Sequence, residues 1–496
     1  MIIETFIVII YGLALLLIFL YALAQMNLLF NYIKAKKTKD TSEKFDFSNH
    51  DEIPLVTIQL PVYNEMYVMQ RLLDNISKIE YPKNKLEIQV LDDSTDESLK
   101  TTAKHIKQLQ QTGLDIKHIT RTNRKGFKAG ALKEGLKTAK GEFIAIFDAD
   151  FLPKKDWLLQ TIPYFKNMKL GVVQTRWTHL NRDYSLLTKV QAFALDAHFT
   201  LEQVGRNLQG HFINFNGTAG VWRKECILDA GNWQADTLTE DLDLSYRAQL
   251  KHWDFKYLEH VETPAELPVV MSAARSQQFR WNKGAAENFR KSFFKVLKSN
   301  NVTLKTKIHA FFHLLNSTMF LNMLILAVLS VPMLFIKQHE VYNLYMLGLG
   351  FFVLSSVLFF VFYWHMYKTI YGKGVKNFIK YIGMFFTFFT IIMGFSLHNS
   401  LAVLEGHLGK RSDFIRTPKF NINAITDTWK DNKYLNTKLS ASTIIEGLLA
   451  LYFGFGLYSA FSITPQGDFG FFALHLMAFL GFGYVFLSSL NFRIGN

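Results

Sequence analysis

Apolar residues are not spread evenly along this chain. They gather in two blocks, one at the N-terminus and one after about residue 305, on either side of a long stretch of mixed polarity. A helix that spans a bilayer needs about 20 apolar residues, and residues 5–30 supply them. Ala22-Leu23-Ala24 imitates a signal-peptide cleavage site. The segment before the apolar run, however, carries Glu4 and neither Lys nor Arg, and the run exceeds the usual core of a cleaved signal. A retained span is expected, with Lys34, Lys36, Lys37 and Lys39 just behind it holding residue 31 onward in the cytoplasm.

The second block offers candidate spans at about 318–336, 341–367, 443–463 and 469–490. A fifth apolar stretch, 381–404, conflicts with the charges around it. Lys368, Lys373, Lys376 and Lys380 precede it, and Lys410, Arg411, Arg416, Lys419, Lys430, Lys433 and Lys438 follow it. Both basic loops can be cytoplasmic only if 381–404 does not cross. His398, Asn399, Glu405 and His407 near its end also suit an interfacial helix. The expectation is five crossings, an outside N-terminus and an inside C-terminus, in the inner (plasma) membrane.

Between the blocks, β-rich runs at 55–60, 86–91, 116–120, 143–147 and 171–176 alternate with helical patterns. That alternation predicts an α/β domain with a mostly parallel sheet and crossover helices, whose ligands sit at the carboxyl ends of the strands. The single cysteine, Cys226, excludes an internal disulfide and fits a reducing compartment. The formal charge of +14 fits an anionic membrane surface and an anionic diphosphate substrate. No nucleic-acid motif is present, nor a Walker-type Gly-Lys-Ser/Thr, nor a dinucleotide glycine fingerprint, which argues against NTPases and dehydrogenases.

The polar motifs fall at the predicted strand ends. Pro61-Val62-Tyr63-Asn64-Glu65 closes the first strand; an aromatic ring and a carboxylate there suit a nucleobase, and equally an ordinary turn. Asp92-Asp93-Ser94-Thr95-Asp96 closes the second. Asp93 is taken as the acid for a ribose or base edge, and Asp96 as a helix cap. Arg124-Lys125-Gly126-Phe127-Lys128 opens a helix, where free N–H groups and the Lys128 ammonium favour an anion. The fourth strand runs into Asp148-Ala149-Asp150. Two carboxylates leaving one apolar strand repel each other unless a cation stands beside them; Mg²⁺ or Mn²⁺, with few protein ligands and substrate phosphates, fits. In Thr237-Leu238-Thr239-Glu240-Asp241, Thr237 and Glu240 have capping-box spacing. Asp241 is left over, and can take a proton from an acceptor hydroxyl. Gln277, Arg280 and Trp281 share one helix face; Arg neutralises a diphosphate and Trp offers a flat surface to a sugar.

Taken in this order, DD, DxD, TED and QxxRW resemble the processive glycosyltransferases of family two, which include cellulose, hyaluronan and mannan synthases. The likeness is greatest to the cellulose synthase-like A and C types. Phe215-Asn216-Gly217-Thr218-Ala219-Gly220-Val221-Trp222-Arg223 and Gln277-Gln278-Phe279-Arg280-Trp281 carry it, and it covers about residues 50–420. The resemblance implies a membrane helix over 1–32, a cytoplasmic GT-A domain over 50–300, and a transmembrane and interfacial region over 301–496. Tyr63, Glu65 and Asp93 would hold the nucleoside and Lys128 the phosphates. Asp148 would meet the donor, and Asp150, with Asp148, the metal. Asp241 would be the general base, with Gln277, Arg280 and Trp281 at the diphosphate and acceptor. Phe414-Ile415-Arg416-Thr417-Pro418-Lys419 resembles the gating loop, usually FxVTxK, that closes over the donor, so Thr417 and Lys419 join the donor site. Arg416 in place of Val, and Asn216 where cellulose synthases commonly have Cys, argue against a strict cellulose synthase. No cyclic-di-GMP control domain is expected after the last span. The implied reaction is inverting transfer of a hexose from UDP-glucose or GDP-mannose to a β-linked polysaccharide led through the bilayer. The rival reading is a glycolipid synthase that adds a sugar to a lipid.

Overall fold

Strand β1, Val56–Val62, is buried along almost its whole length, as a strand covered on both faces must be. Its even positions, Val56, Ile58 and Leu60, enter one apolar cluster with Trp157 and Phe165. On the other face, Thr57 donates to Glu87 at 2.7 Å and Gln59 to Gln89 at 3.0 Å. Pairing buried polar groups in this way avoids the desolvation cost of burying them alone. Around β1 the computed structural model builds a seven-stranded sheet in the order β3-β2-β1-β4-β6-β5-β7. The structure describes residues 1–48, 52–422, 424, 426–430, 432–435 and 440–494; Lys438, counted among the basic residues above, lies outside them.

Strands β2 (Leu86–Asp92), β3 (Asp115–Thr120), β4 (Phe143–Ile146) and β5 (Leu170–His179) fall where the sequence pattern placed them. Two further strands were not read from it. The four-residue β6, Gly220–Arg223, is too short to show a period, and it runs antiparallel between β4 and β5. The other, β7 (Asp254–Ala265), pairs with β5 in parallel and is interrupted by register shifts. The sheet is therefore mixed, though mostly parallel. Parallel β1 has β2 on one side and β4 on the other, so the order reverses between β1 and β4. That reversal opens a crevice at their carboxyl ends.

Six helices among the described residues are long and apolar enough to cross a bilayer. Five match the expected spans: Ile2–Ala35, Asn316–Ile336, Glu340–Tyr371, Ala441–Ser462 and Phe472–Leu490. The sixth, Val375–Leu408, contains the stretch expected at the interface. Near its start Tyr381 packs on Trp364 and Tyr367, at the end of the helix Leu354–Tyr371. Near its end His407 Nε2 lies 3.0 Å from the hydroxyl of Thr318, beside the start of the helix Met319–Ile336. The helix Met271–Lys298 runs along it: Asn399 donates to Gln278 at 2.9 Å, and buried Lys283 meets Glu405 at 3.0 Å.

Candidate active site

The crevice at the β1–β4 reversal collects the acids. Asp148 follows β4, and its Oδ1 meets Lys128 Nζ at 2.6 Å, while Lys128 also donates to the Gly217 carbonyl at 2.9 Å. The Asp148 N–H is held by the Thr218 hydroxyl at 2.9 Å. Gly217 has φ +81, and a Cβ there would stand 2.9 Å from Asp241 Oδ2 and 3.5 Å from Lys128 Nζ. Glycine thus lets the backbone pass between the ammonium and the carboxylate, and ties Asp148, Lys128 and Asp241 to one spot. Burial pulls the Lys128 ammonium down, but Asp148 and Glu240 outweigh it and hold the pKa above its usual value. Asp150 is buried; its Oδ2 receives Lys419 Nζ at 2.8 Å, whereas Oδ1 has no hydrogen-bond partner.

The capping box expected of Thr237 and Glu240 does not form. The helix Glu240–Leu250 begins at Glu240, with Thr239 at its cap and no side-chain cap bond. Its N-terminal approach is tied down instead by the helix Met271–Lys298: Asn288 donates to the Thr239 carbonyl at 3.1 Å, and Glu287 accepts from the Leu238 N–H at 2.7 Å. Gly284 allows this approach, since a Cβ there would stand 2.5 Å from the Thr239 hydroxyl. Both carboxylates of the pair are thereby freed to line the cleft. Burial, then the like charge of Glu240, pushes the Asp241 carboxyl up to about 7, with Lys128 pulling the other way.

Gln277, Arg280 and Trp281 line the same cleft from the helix Met271–Lys298. Loop 414–419 lies across it. Phe414 stacks on Phe127 and stands 4.8 Å from the Arg280 guanidinium; Thr417 accepts from Arg280 at 2.7 Å; Lys419 holds Asp150. At the Tyr63 end of the cleft, Arg416 donates to the Tyr63 carbonyl at 2.6 Å and stands 3.1 Å from Glu65 Oε2. Burial pushes Glu65 up to about 7 against the pull of Arg416 and Lys419. Arg124 lies over the Tyr63 ring at 3.3 Å, and both Asp93 oxygens are engaged by Arg121. All twelve residues singled out for the site therefore line or close one cleft.

Sequence reasoning missed three contributors. Arg124 belonged to the basic turn, but its seat on Tyr63 follows only from the fold. Arg121 leaves no motif. Glu266 accepts the N–H groups of Phe420 and Asn421 at 2.8 and 3.0 Å, and so anchors the root of the loop. The free volume left under the loop is about 170 Å³, short of the roughly 300–1,000 Å³ of sites that hold drug-sized ligands. Even so, Arg124 Nε, Asp150 Oδ1, Arg280 Nε and Arg416 Nη2 are buried there with no hydrogen-bond partner among the described residues. Orphaned polar atoms at this density mark a place for a polar, charged ligand.

An open α/β sheet thus carries an acid-lined cleft at its reversal, roofed by a loop from the region of long apolar helices. Residues 54–284 match the glycosyltransferase like family 2 model. It is 44% identical over 261 residues to a probable glucomannan 4-beta-mannosyltransferase of Oryza sativa subsp. japonica, covering 52% of this chain and 48% of that protein. A glucomannan 4-beta-mannosyltransferase of Arabidopsis thaliana is 43% identical over 264 residues (52% and 50%), and one of Cyamopsis tetragonoloba 40% over 296 (58% and 56%). The chain spans about half the length of these curated relatives. Among solved structures, the Pyrobaculum calidifontis mannosyltransferase PcManGT in complex with GDP-Man and Mn²⁺ is 21% identical. It covers 73% of this chain and 100% of its own, with a TM-score of 0.49, a level that says nothing of this chain's ligands.

Proposed function

We propose that this protein transfers a hexose, with inversion, from a nucleotide sugar to the end of a growing β-linked polysaccharide, and leads the product into its membrane helices. The observation that carries this is the convergence of Asp148, Asp150, Asp241, Lys128 and Arg280 on one cleft. The mannosyltransferase names of the relatives favour GDP-mannose over UDP-glucose as donor.

Asp241 is the base. In its ionised form it takes the proton of the acceptor's terminal hydroxyl, which attacks the anomeric carbon from the side opposite the leaving group. Positioning and base catalysis together lower the barrier. Lys128 and Arg280 stand where negative charge gathers on the departing nucleoside diphosphate, and buried cations there are worth more than in water. Tyr63, Glu65 and Asp93 receive the nucleoside, and Gln277 and Trp281 the sugar. The donor takes over the contacts that Arg124 now makes with Tyr63, Arg416 with Glu65 and Lys419 with Asp150. The loop 414–419 withdraws to admit the donor and closes again over it.

The donor set fits a hard divalent cation, Mg²⁺ or Mn²⁺. Asp150 Oδ1 is buried and unbonded, Asp148 lies two residues away, and no cluster of three or more His, Cys, Asp or Glu side chains suited to a metal occurs among the described residues. Two carboxylates completed by phosphate oxygens match that ion class. When bound, the ion supplies charge neutralisation to the leaving diphosphate.

The membrane reading keeps five crossings in the plasma membrane, with 375–408 lying along the cytoplasmic face and the catalytic domain in the cytoplasm. Its support is that both ends of this helix touch the ends of neighbouring helices expected on that side. Partners are then the nucleotide sugar, the polysaccharide and the bilayer, without nucleic acid.

The test is incubation of purified protein in lipid with labelled GDP-mannose or UDP-glucose, followed by solvent extraction and linkage analysis. Ethanol-insoluble, β-linked polymer is expected. Label found only in chloroform-soluble glycolipid rejects the polymer reading in favour of a lipid acceptor.

A further inference from the structure

A line of hydrogen bonds runs from the floor of the cleft to the first membrane helix, and chemistry fixes its direction at each step. Gln203 Nε2 lies 3.0 Å from the Asn214 carbonyl, which can only accept, so the amide nitrogen must face that way. The same nitrogen reaches Asn216 Oδ1 at 2.7 Å. Asn216 lines the cleft beside Gly217 and Asp241. Its Nδ2 is therefore turned to His198 Nε2, 3.1 Å away, and His198 must accept. The ring proton then sits on Nδ1, 3.1 Å from Glu202 Oε2. Glu202 is committed as an acceptor: Arg206 donates to Oε2 at 3.0 Å, and Gln25 of the helix Ile2–Ala35 to Oε1 at 3.0 Å. Arg206 and His198 outweigh burial and hold its carboxyl far below the usual range. A π-helical turn over His198–Glu202 places the histidine and the glutamate for this contact, as such turns often do at functional sites.

With these bonds made, the Asn216 amide keeps one N–H and one lone pair. A sugar hydroxyl, at once donor and acceptor, is the group that matches such an adjacent pair. Turning the amide over would set nitrogen against Gln203 nitrogen and oxygen against an accepting histidine nitrogen, losing two hydrogen bonds. We propose that Asn216 binds a hydroxyl of the acceptor sugar, and that His198 is a positioning residue that locks the Asn216 amide in the productive orientation, through a tautomer set by Glu202. This rests on the transferase reading given above.

The experiment is a double-mutant cycle on the full chain in lipid, with labelled donor and a short β-linked oligosaccharide as acceptor. Asn216→Ala is expected to raise the acceptor KM roughly ten-fold, the worth of one hydrogen bond, while the donor KM stays within about two-fold. His198→Phe, which keeps the ring and removes both nitrogens, does the same, and the double variant is no worse than the weaker single. His198→Gln, whose carbonyl can accept from Asn216, recovers most of the loss. Additive losses in the double variant, or a shift in donor KM instead of acceptor KM, overturn the proposal. If His198→Phe fails to accumulate, a wild-type acceptor KM in Asn216→Ala overturns it alone. A wild type that transfers no sugar from any donor overturns the transferase reading, and this inference with it; active transfer with an unmoved acceptor KM rejects the inference only.

Discussion

At the scale of single residues, the account turns on Asp241. Its carboxyl is pushed up to about 7 by burial and by Glu240. A raised carboxyl is protonated below that value and ionised above it, and only the ionised form can take a proton. Transfer in the unliganded-enzyme regime, kcat/KM, is therefore expected to rise with pH up to about 7 and then level off, losing about ten-fold for each unit below. A profile flat from pH 5 to 8 would contradict the base assignment. Asp241→Asn should lower kcat by about 10²–10⁴ with nucleoside-diphosphate affinity retained, read by single-turnover transfer and nucleotide titration. Legibility divides along the same line. Asp148, Asp150, Asp241 and Arg280 could be read because their motifs fix residue type and spacing within a few positions. Arg416 on Tyr63 and Lys419 on Asp150 could not, since each contact closes over more than 260 residues of chain.

At the scale of elements, the loop 414–419 decides how the donor enters. Arg416, Thr417 and Lys419 each hold a group expected to meet the nucleotide sugar, and the volume they leave is too small for it. A binding-competent state that is only partly populated weakens the apparent affinity by that fraction. Arg416→Ala removes the grip on Tyr63 and Glu65, so the donor KM should fall, by roughly three- to ten-fold. A rise would make Arg416 a donor ligand instead of a closure. The sheet shows why some elements escaped the sequence. Seven-residue β1 and β2 are long enough to show their alternation of apolar and polar residues, but β6 is four residues between a turn at the cleft and a helix, and its direction depends on two neighbours. The start of the helix at Glu240 was misplaced for a similar reason: the groups that tie it down, Glu287 and Asn288, come from another helix.

At the scale of the whole molecule, one amphipathic helix joins the chemistry to the bilayer. Met271–Lys298 carries Gln277, Arg280 and Trp281 toward the cleft, while Arg275 forms a two-pronged buried pair with Glu446 of the helix Ala441–Ser462. The cleft and the bundle of apolar helices thus share one helix, which is what the proposed passage of a polymer from site to membrane requires. Lys and Arg near the apolar ends are the sequence's signal for the side on which the loops lie; they give no sign that 375–408 forms a single helix. Cysteines placed one at a time in 405–440 of a Cys226→Ser background should be labelled by a membrane-impermeant maleimide only after the membrane is opened. Labelling from outside would require 375–408 to cross.

The central claim is that the acids at Asp148 and Asp150 work with a divalent cation while a sugar leaves its nucleotide. The direct measurement is transfer from labelled GDP-mannose and UDP-glucose by the purified protein before and after excess EDTA, with Mn²⁺ or Mg²⁺ then restored. The account predicts polymer formation with at least one donor, its loss in EDTA, its return with the metal, and no return in Asp150→Ala. Undiminished transfer in EDTA would contradict it.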